Sequence, residues 1–220
     1  MSRLSRPGPA VSAFLFLAAV APATAAPAAP PGTARLKAAA LAGDWKQVQA
    51  LGPEALPGLA RLYSASSSTS ERATIASVFY NLGVESQEAK RALMADVHTP
   101  DQALRLQVQW ALGRVSSDPD VIDALLENMR HDPVPLFRDK AACALAHDQI
   151  HLSPAQKTRL LEGLVDALGE EEPQVRRVAA LALRILTGQS KGFDPAGAPA
   201  ARSAAVEEWK RWLADYRANQ

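Results

Sequence analysis

Four arginines recur along the chain at nearly equal intervals, and this spacing constrains the fold more than any other feature of the sequence. Arg72, Arg105, Arg138 and Arg176 are separated by 33, 33 and 38 residues, which is the length of repeats built from two helices. The segments that begin at the last two share the form R-x-x-A-A-x-A-L, and the second keeps R-x-x-V-x-x-A-L-G. Because such units bury their apolar faces only against neighbours, the sequence predicts a stack of repeats.

Composition identifies the repeated unit as helical. The chain holds 44 Ala and 27 Leu against 4 Ile and 14 Val, a bias that favours helices over strands. Six residues before each arginine stands a residue that is expected to lie at a helix start, in three of the four cases with a capping side chain: Ser66, Thr99, Asp132 and Glu170. Pro100 and Pro133 would then occupy first helical positions, and each arginine would lie about two turns into its helix. Another apolar helix is expected before each, at 54–63, 86–95, 118–129 and 154–168.

With these motifs in place, the chain resembles HEAT repeats, particularly the bacterial kind known as phycobilisome-lyase HEAT-like. Segments 132–145 and 170–183 match that pattern best, and the resemblance extends over 33–217. It implies an all-α protein, an α-solenoid of about four helical hairpins with leading helices at its N-terminal end and a C-terminal capping helix. The capping helix would carry the apolar stripe that includes Trp209 and Trp212. The 38-residue interval departs from the pattern, so the resemblance does not fix the local geometry there.

Helical periodicity separates a core face from an opposite face. The four recurring arginines are called the anchor arginines, and positions are counted from them. At 100° per residue, positions +3, +6, +7 and +10 form one stripe, which predicts core positions for Val108, Ala111, Leu112 and Val115. Positions +1, +5 and +8 fall opposite, on the expected inner face of the superhelix. Five residues there are candidates for binding a partner, since exposed aromatic residues are typical of interaction sites: Tyr80, Leu106, Trp110, Arg177 and Arg184. The alternative is that curvature or the terminal helix covers the aromatic residues.

The anchor arginines themselves admit two interpretations. The first is a structural ladder, in which Arg72, Arg105, Arg138 and Arg176 donate hydrogen bonds to the preceding turns between helices. The second is ligand binding. Their position at the flank of the core stripe favours the ladder.

The N-terminal region has the pattern of a secretory signal peptide. Arg3 and Arg6 precede an apolar run at 11–20, and an Ala-Thr-Ala cleavage site ends at Ala25, so residues 1–25 are expected to be removed. Residues 26–32 then form a Pro/Ala linker, and 33–217 form the repeat domain. We expect export by the general secretion route to the periplasm or the cell exterior, without stable membrane insertion after cleavage.

Neither a metal site nor a catalytic site emerges from the sequence. His147 and His151 have the spacing of two metal ligands on a helix, but a new helix start at Ser153 predicts a turn between them, and no third ligand is evident. Cys143 is the only cysteine, so no intrachain disulfide forms, and a small apolar role in a helix is expected for it. The sequence therefore predicts neither a metal site nor a cofactor.

These observations favour a non-catalytic protein-binding scaffold or adaptor of the cell envelope, with a protein partner that the sequence does not identify. The alternative suggested by the resemblance is an enzyme-associated or bilin-lyase-like HEAT protein. The charge balance disfavours nucleic acid as a partner, because 24 basic residues nearly balance 23 acidic ones and no basic surface is implied.

Overall fold

The computed structural model describes residues 31–219 of the chain. Within this range there are eleven α-helices and one π-helical turn, Ala144–Asp148, which continues the eighth helix. No residue of this range lies in a strand, which confirms the all-α prediction for it. The helices are Pro31–Leu41 (α1), Trp45–Ala50 (α2), Ala55–Ala65 (α3), Thr69–Leu82 (α4), Gln87–Met94 (α5), Gln102–Val115 (α6), Pro119–His131 (α7), Pro135–Cys143 (α8), Pro154–Ala167 (α9), Pro173–Thr187 (α10) and Pro199–Ala218 (α11).

The expected signal peptide at 1–25 and most of the expected linker at 26–32 lie outside the described residues. Helix α1 begins at Pro31, inside the segment expected to be linker.

The helices form two layers, as expected for an α-solenoid. Hairpins α3–α4, α5–α6, α7–α8 and α9–α10 follow one another, with α1 and α2 ahead of them. In the first layer α1 packs on α3, α3 on α5, α7 on α9, and α9 on α11. In the second layer α2 packs on α4, α4 on α6, α6 on α8, and α8 on α10. The predicted four hairpins with leading helices and a final capping helix are therefore confirmed.

Small residues bring neighbouring helices close together. The stripe predicted for α6 is core, since Val108, Ala111 and Leu112 are fully buried and Val115 is nearly so. Between α7 and α9, a Cβ atom added at Gly163 would lie 2.3 Å from Cδ1 of Leu126. Helix separation at these contacts is set by side-chain size, because ridges of one helix fill grooves of the next.

The predicted starts of the helices that carry the anchor arginines are wrong by two residues. Ser68 and Asp101 cap α4 and α6, where their side chains accept hydrogen bonds from backbone amides, while Pro135 and Pro173 are the first residues of α8 and α10. Each anchor arginine is consequently the fourth residue of its helix, about one turn from its start. The expected caps Ser66, Thr99, Asp132 and Glu170, together with the expected first helical residues Pro100 and Pro133, lie in the preceding turns.

Carbonyl groups of three of those turns accept hydrogen bonds from the anchor arginines. Three of the four anchors donate from Nη1 to the carbonyl oxygen six residues earlier, and so close the turn within their own hairpin. The distances are 3.1 Å for Arg72 to Ser66, 2.8 Å for Arg138 to Asp132 and 2.9 Å for Arg176 to Glu170.

Every anchor arginine also contacts the following unit of the array. The turn or helix start of the next hairpin supplies the acceptor in three cases, and the loop before α11 supplies it in the fourth. The contacts are Arg72 Nε to Asp96 Oδ2 at 3.1 Å, Arg105 Nη1 to Asp132 Oδ2 at 2.5 Å, Arg138 Nε to Gln174 Oε1 at 2.9 Å and Arg176 Nε to the Pro195 carbonyl at 3.2 Å.

The pair between Arg105 and Asp132 is the most buried of these contacts. Their side chains are only 11% and 3% exposed, and the guanidinium lies 4.6 Å from the ring centroid of Phe137. The second carboxylate oxygen of Asp132 accepts from the amide of Val134 at 2.8 Å. A charge at this depth depends on its partner, because removal of one member leaves the other desolvated and unpaired.

We therefore expect Arg105→Met to lower the free energy of unfolding by about 3 to 5 kcal/mol, the range seen when one partner of a buried ion pair is removed. The double variant Arg105→Met/Asp132→Asn should recover part of the loss, since it removes the stranded carboxylate and keeps an acceptor for Val134. Urea unfolding followed by circular dichroism measures both. Equal stability of the single variant and the natural chain would contradict the role assigned to the pair.

Candidate functional site

The side of α4, α6, α8 and α10 that is turned away from the first layer is named here the second-layer face. All five residues predicted for a binding row belong to these helices, at the positions expected for that face. Tyr80, Leu106 and Trp110 are half-buried there, whereas Arg177 and Arg184 are exposed. The face is thus more covered at α4 and α6 than at α10.

Tyr80 and Trp110 pack against each other. Their ring centroids are 6.2 Å apart, and the guanidinium of Arg114 lies 4.8 Å from the Tyr80 centroid. Arg114 Nε also donates to the Tyr80 carbonyl at 3.3 Å. The aromatic pair therefore joins α4 to α6, and a charged substitution at Trp110 would disturb this packing as well as any docking surface.

The residues added by the 38-residue interval lie beside the aromatic pair. After the π-helical turn, the loop 149–153 crosses α6 to reach the end of α4, where His151 Nε2 donates to the Gly83 carbonyl at 3.0 Å. Gly83 ends α4 with φ 59°, a left-handed conformation that suits glycine. Gly113 makes the crossing possible, since a Cβ there would lie 3.0 Å from Cβ of Asp148.

Asp148 is the buried acid of this crossing. It is 7% exposed, and burial raises the pKa of its carboxyl above the ordinary value, while Arg114, a hydrogen bond with Tyr80 and His147 act in the opposite direction. Sequence reasoning did not single out Asp148. The long interval before Arg176 was the available signal, because it placed extra residues in this stretch.

The raised pKa predicts a specific dependence of stability on pH. A carboxyl whose folded pKa lies above its unfolded value binds its proton more tightly when folded, so its contribution is complete at low pH and is lost as pH rises through the folded pKa. Asp148→Asn should therefore flatten this part of the curve and raise the free energy of unfolding relative to the natural chain as pH increases from 4 to 7. Urea unfolding across that range measures the difference, and a constant difference would contradict it.

On α4 and α6 the second-layer face contains a shallow groove of about 380 Å³. Leu106 lines it from α6, and Ala73 and Ser77 line it from α4. These are members of the predicted row at positions +1 and +5, so the groove follows the predicted direction across the repeats.

On α8 and α10 the same face exposes large apolar side chains. Leu136 is 54% exposed, Leu181 42% and Ile185 40%. Arg177 and Arg184 flank Leu181 along α10 and have no ion-pair partner among the described residues. Sequence reasoning missed Leu136 and Ile185 as surface residues. They stand at −2 and +9 from their anchors, close to 180° from the arginine, and a wider window on the same helical wheel would have included them.

The two histidines considered as metal ligands lie in different elements, and Cys143 is the last residue of α8. His147 belongs to the π-helical turn and His151 to the crossing loop, and within residues 31–219 no three His, Cys, Asp or Glu side chains form a group that could hold a metal ion. Cys143 is half-buried, and burial raises the pKa of its thiol, which disfavours the nucleophilic thiolate.

Comparison with known proteins agrees with the repeat architecture. Residues 56–146 match the family model of HEAT repeats, a segment that runs from α3 into the π-helical turn. A solved structure with a similar arrangement is the designed armadillo repeat protein YIII(Dq.V1)4CPAF in complex with peptide (KR)4. It has 16% sequence identity and a TM-score of 0.49, and the match covers 81% of this chain and 80% of that chain.

No curated protein matches the sequence. Among the described residues, no helix combines the length and the apolar character that crossing a membrane requires.

Proposed function

We propose that this protein is a non-catalytic scaffold that binds another protein on the second-layer face of α8 and α10. The supporting observation is the distribution of exposed large apolar side chains, since three of the six on the described surface, Leu136, Leu181 and Ile185, belong to this face. Exposed apolar side chains beside charged groups are typical of interaction surfaces.

The half-buried part of the face adds shape to this surface. Leu106 and the groove between α4 and α6 extend the binding surface across the neighbouring hairpin. Tyr80 and Trp110 stabilise this part of the face because they pack against each other. A partner that follows the face would contact side chains from several hairpins, which is how repeat proteins build extended binding surfaces.

Site-specific crosslinking tests the proposal. The photoreactive amino acid p-benzoylphenylalanine is placed at Leu136 or Ile185 in the full chain, and at Glu127 on α7 as a matched exposed position of the first layer. We expect a crosslinked product of defined mass from the two second-layer positions in a native extract, and none from Glu127. Equal products from all three positions, or products from Glu127 alone, would contradict the proposed face, and circular dichroism checks that each variant is folded.

We further propose that the protein works in the cell envelope, in the periplasm or outside the cell. The pattern of residues 1–25 supports this compartment, because a basic start, a short apolar run and an Ala-Thr-Ala site are read by signal peptidases. Proteins of an exported compartment form disulfides readily, yet the single cysteine leaves stability to packing and to the arginine contacts.

Intact mass of the protein recovered from a secreting bacterial host tests this location. We expect a chain that starts at Ala26 and is found in the periplasmic or medium fraction. An Ala23→Leu/Ala25→Leu variant should retain residues 1–25, because the peptidase requires small side chains at the cleavage site. A natural chain that keeps its full length in the cytoplasm would contradict export.

A further inference from the structure

Within residues 31–219, α10 is the last helix of the second layer, while the first layer continues with α11. One turn beyond each anchor arginine, the side chain that faces the next hairpin is buried in the earlier repeats: Ala76 and Gln109 are fully buried, and Ala142 is 5% exposed. The equivalent Ala180 on α10 is only half-buried. The side of α10 that another second-layer helix would cover is therefore partly open.

The loop before α11 closes this side only in part. Arg176 holds the loop through the Pro195 carbonyl, with Nε at 3.2 Å and Nη2 at 3.1 Å, and Phe193 is buried at 8% exposure. Between the loop and α10 remains a groove of about 250 Å³, with Trp209 of α11 at its wall. Both walls are anchored by buried groups, so the groove exists without a ligand to shape it.

Charge distinguishes this groove from the rest of the second-layer face. Arg177 and Arg184 line it with Leu181 between them, and no carboxylate is among its described lining residues. Other basic residues of the second-layer helices are engaged: Arg114 with Tyr80, Arg138 with Gln174, and Lys140 with Asp139 at 3.6 Å. Two unpaired guanidinium groups on one groove attract carboxylates, which they bind in charge-assisted hydrogen bonds.

Spacing defines the complementary ligand. Arg177 and Arg184 are seven residues apart on one helix, about 10 Å along its axis at 1.5 Å per residue. In an extended chain of the polyproline II type, which has three residues per turn and rises about 3.1 Å per residue, carboxylates three positions apart lie on the same side and span about the same distance. An apolar side chain between them would then lie over the stretch of α10 that carries Leu181.

We infer that this groove binds an acidic segment of a partner protein, an extended stretch in which two carboxylates three residues apart flank an apolar side chain. The inference rests on the proposed scaffold function and names the chemistry of its partner. The two arginines supply the charge, and Leu181 with the pinned loop supplies the apolar contact.

Fluorescence anisotropy with labelled 12-residue peptides tests the inference on the full mature chain. The probes are (Glu-Leu-Ala-Glu)3, its Gln-Leu-Ala-Gln counterpart and its Lys-Leu-Ala-Lys counterpart. We expect the acidic peptide to bind at least tenfold more tightly than the other two at 50 mM NaCl, and this preference to shrink at 500 mM NaCl because exposed charges are screened.

Charge reversal locates the site. Arg177→Glu/Arg184→Glu should weaken binding of the acidic peptide at least tenfold. Arg35→Glu/Arg61→Glu is the matched control, because it changes net charge equally at two exposed arginines of the opposite end, which have no ion-pair partner among the described residues, and it should leave binding within about twofold. Circular dichroism establishes that both variants fold, and Arg177→Gln/Arg184→Gln repeats the test without like-charge repulsion.

Several outcomes would overturn the inference. One is equal binding of the three peptides, and another is equal loss in both charge-reversed variants, which would indicate net charge rather than the groove. A dimer of the natural chain in sedimentation that disappears in Arg177→Glu/Arg184→Glu would assign the groove to a second copy instead. The crosslinking experiment at Leu136 and Ile185 tests the proposed scaffold function separately from the acidic groove, because it requires no acidic ligand.

Discussion

The hydrogen bonds of the anchor arginines fix how one hairpin sits on the next. Hydrophobic contact between helices is non-directional, so it restricts the register of neighbouring hairpins less than directed hydrogen bonds do. A guanidinium has five donors in a rigid plane, so an arginine that binds both its own turn and the next one allows a single register. Arg138 illustrates this, with one donor on the Asp132 carbonyl and two on Gln174. Repetition of the contact at each hairpin turns pairwise packing into a continuous array.

The sequence was sufficient to predict the array of hairpins. It was not sufficient to predict the helix starts or the loop that crosses α6. Arginine spacing, alanine content and periodicity predicted the hairpins and the buried stripe of α6, because each depends on neighbours within about one repeat. The helix starts were misplaced, since a capping pattern does not reveal that Arg176 occupies the turn carbonyls of Glu170 and Glu171. The contact between His151 and Gly83 joins residues 68 positions apart, and no local pattern encodes it.

That long contact changes how the array behaves. In a simple solenoid each unit contacts its immediate neighbours only, whereas the crossing loop ties the third hairpin to the first across α6. Tyr80 and Trp110, which periodicity places on the binding face, lie beside this tie and pack on each other. Their aromatic surface therefore contributes mainly to stability, and the exposed apolar part of the face lies on α8 and α10.

The proposed acidic site follows from the same arginine contacts that build the array. Inside the array, the acceptor beyond each anchor belongs to the turn or helix start of a following hairpin. At the last anchor that hairpin is replaced by a loop and a single first-layer helix, so Arg176 holds Pro195 instead. A loop covers less of α10 than a helix would, and the uncovered side carries Arg177, Leu181 and Arg184. Within the described residues the last unit is thus half a hairpin, which leaves an unpaired charged surface beside an apolar one, and the proposed partner of opposite charge would complete it.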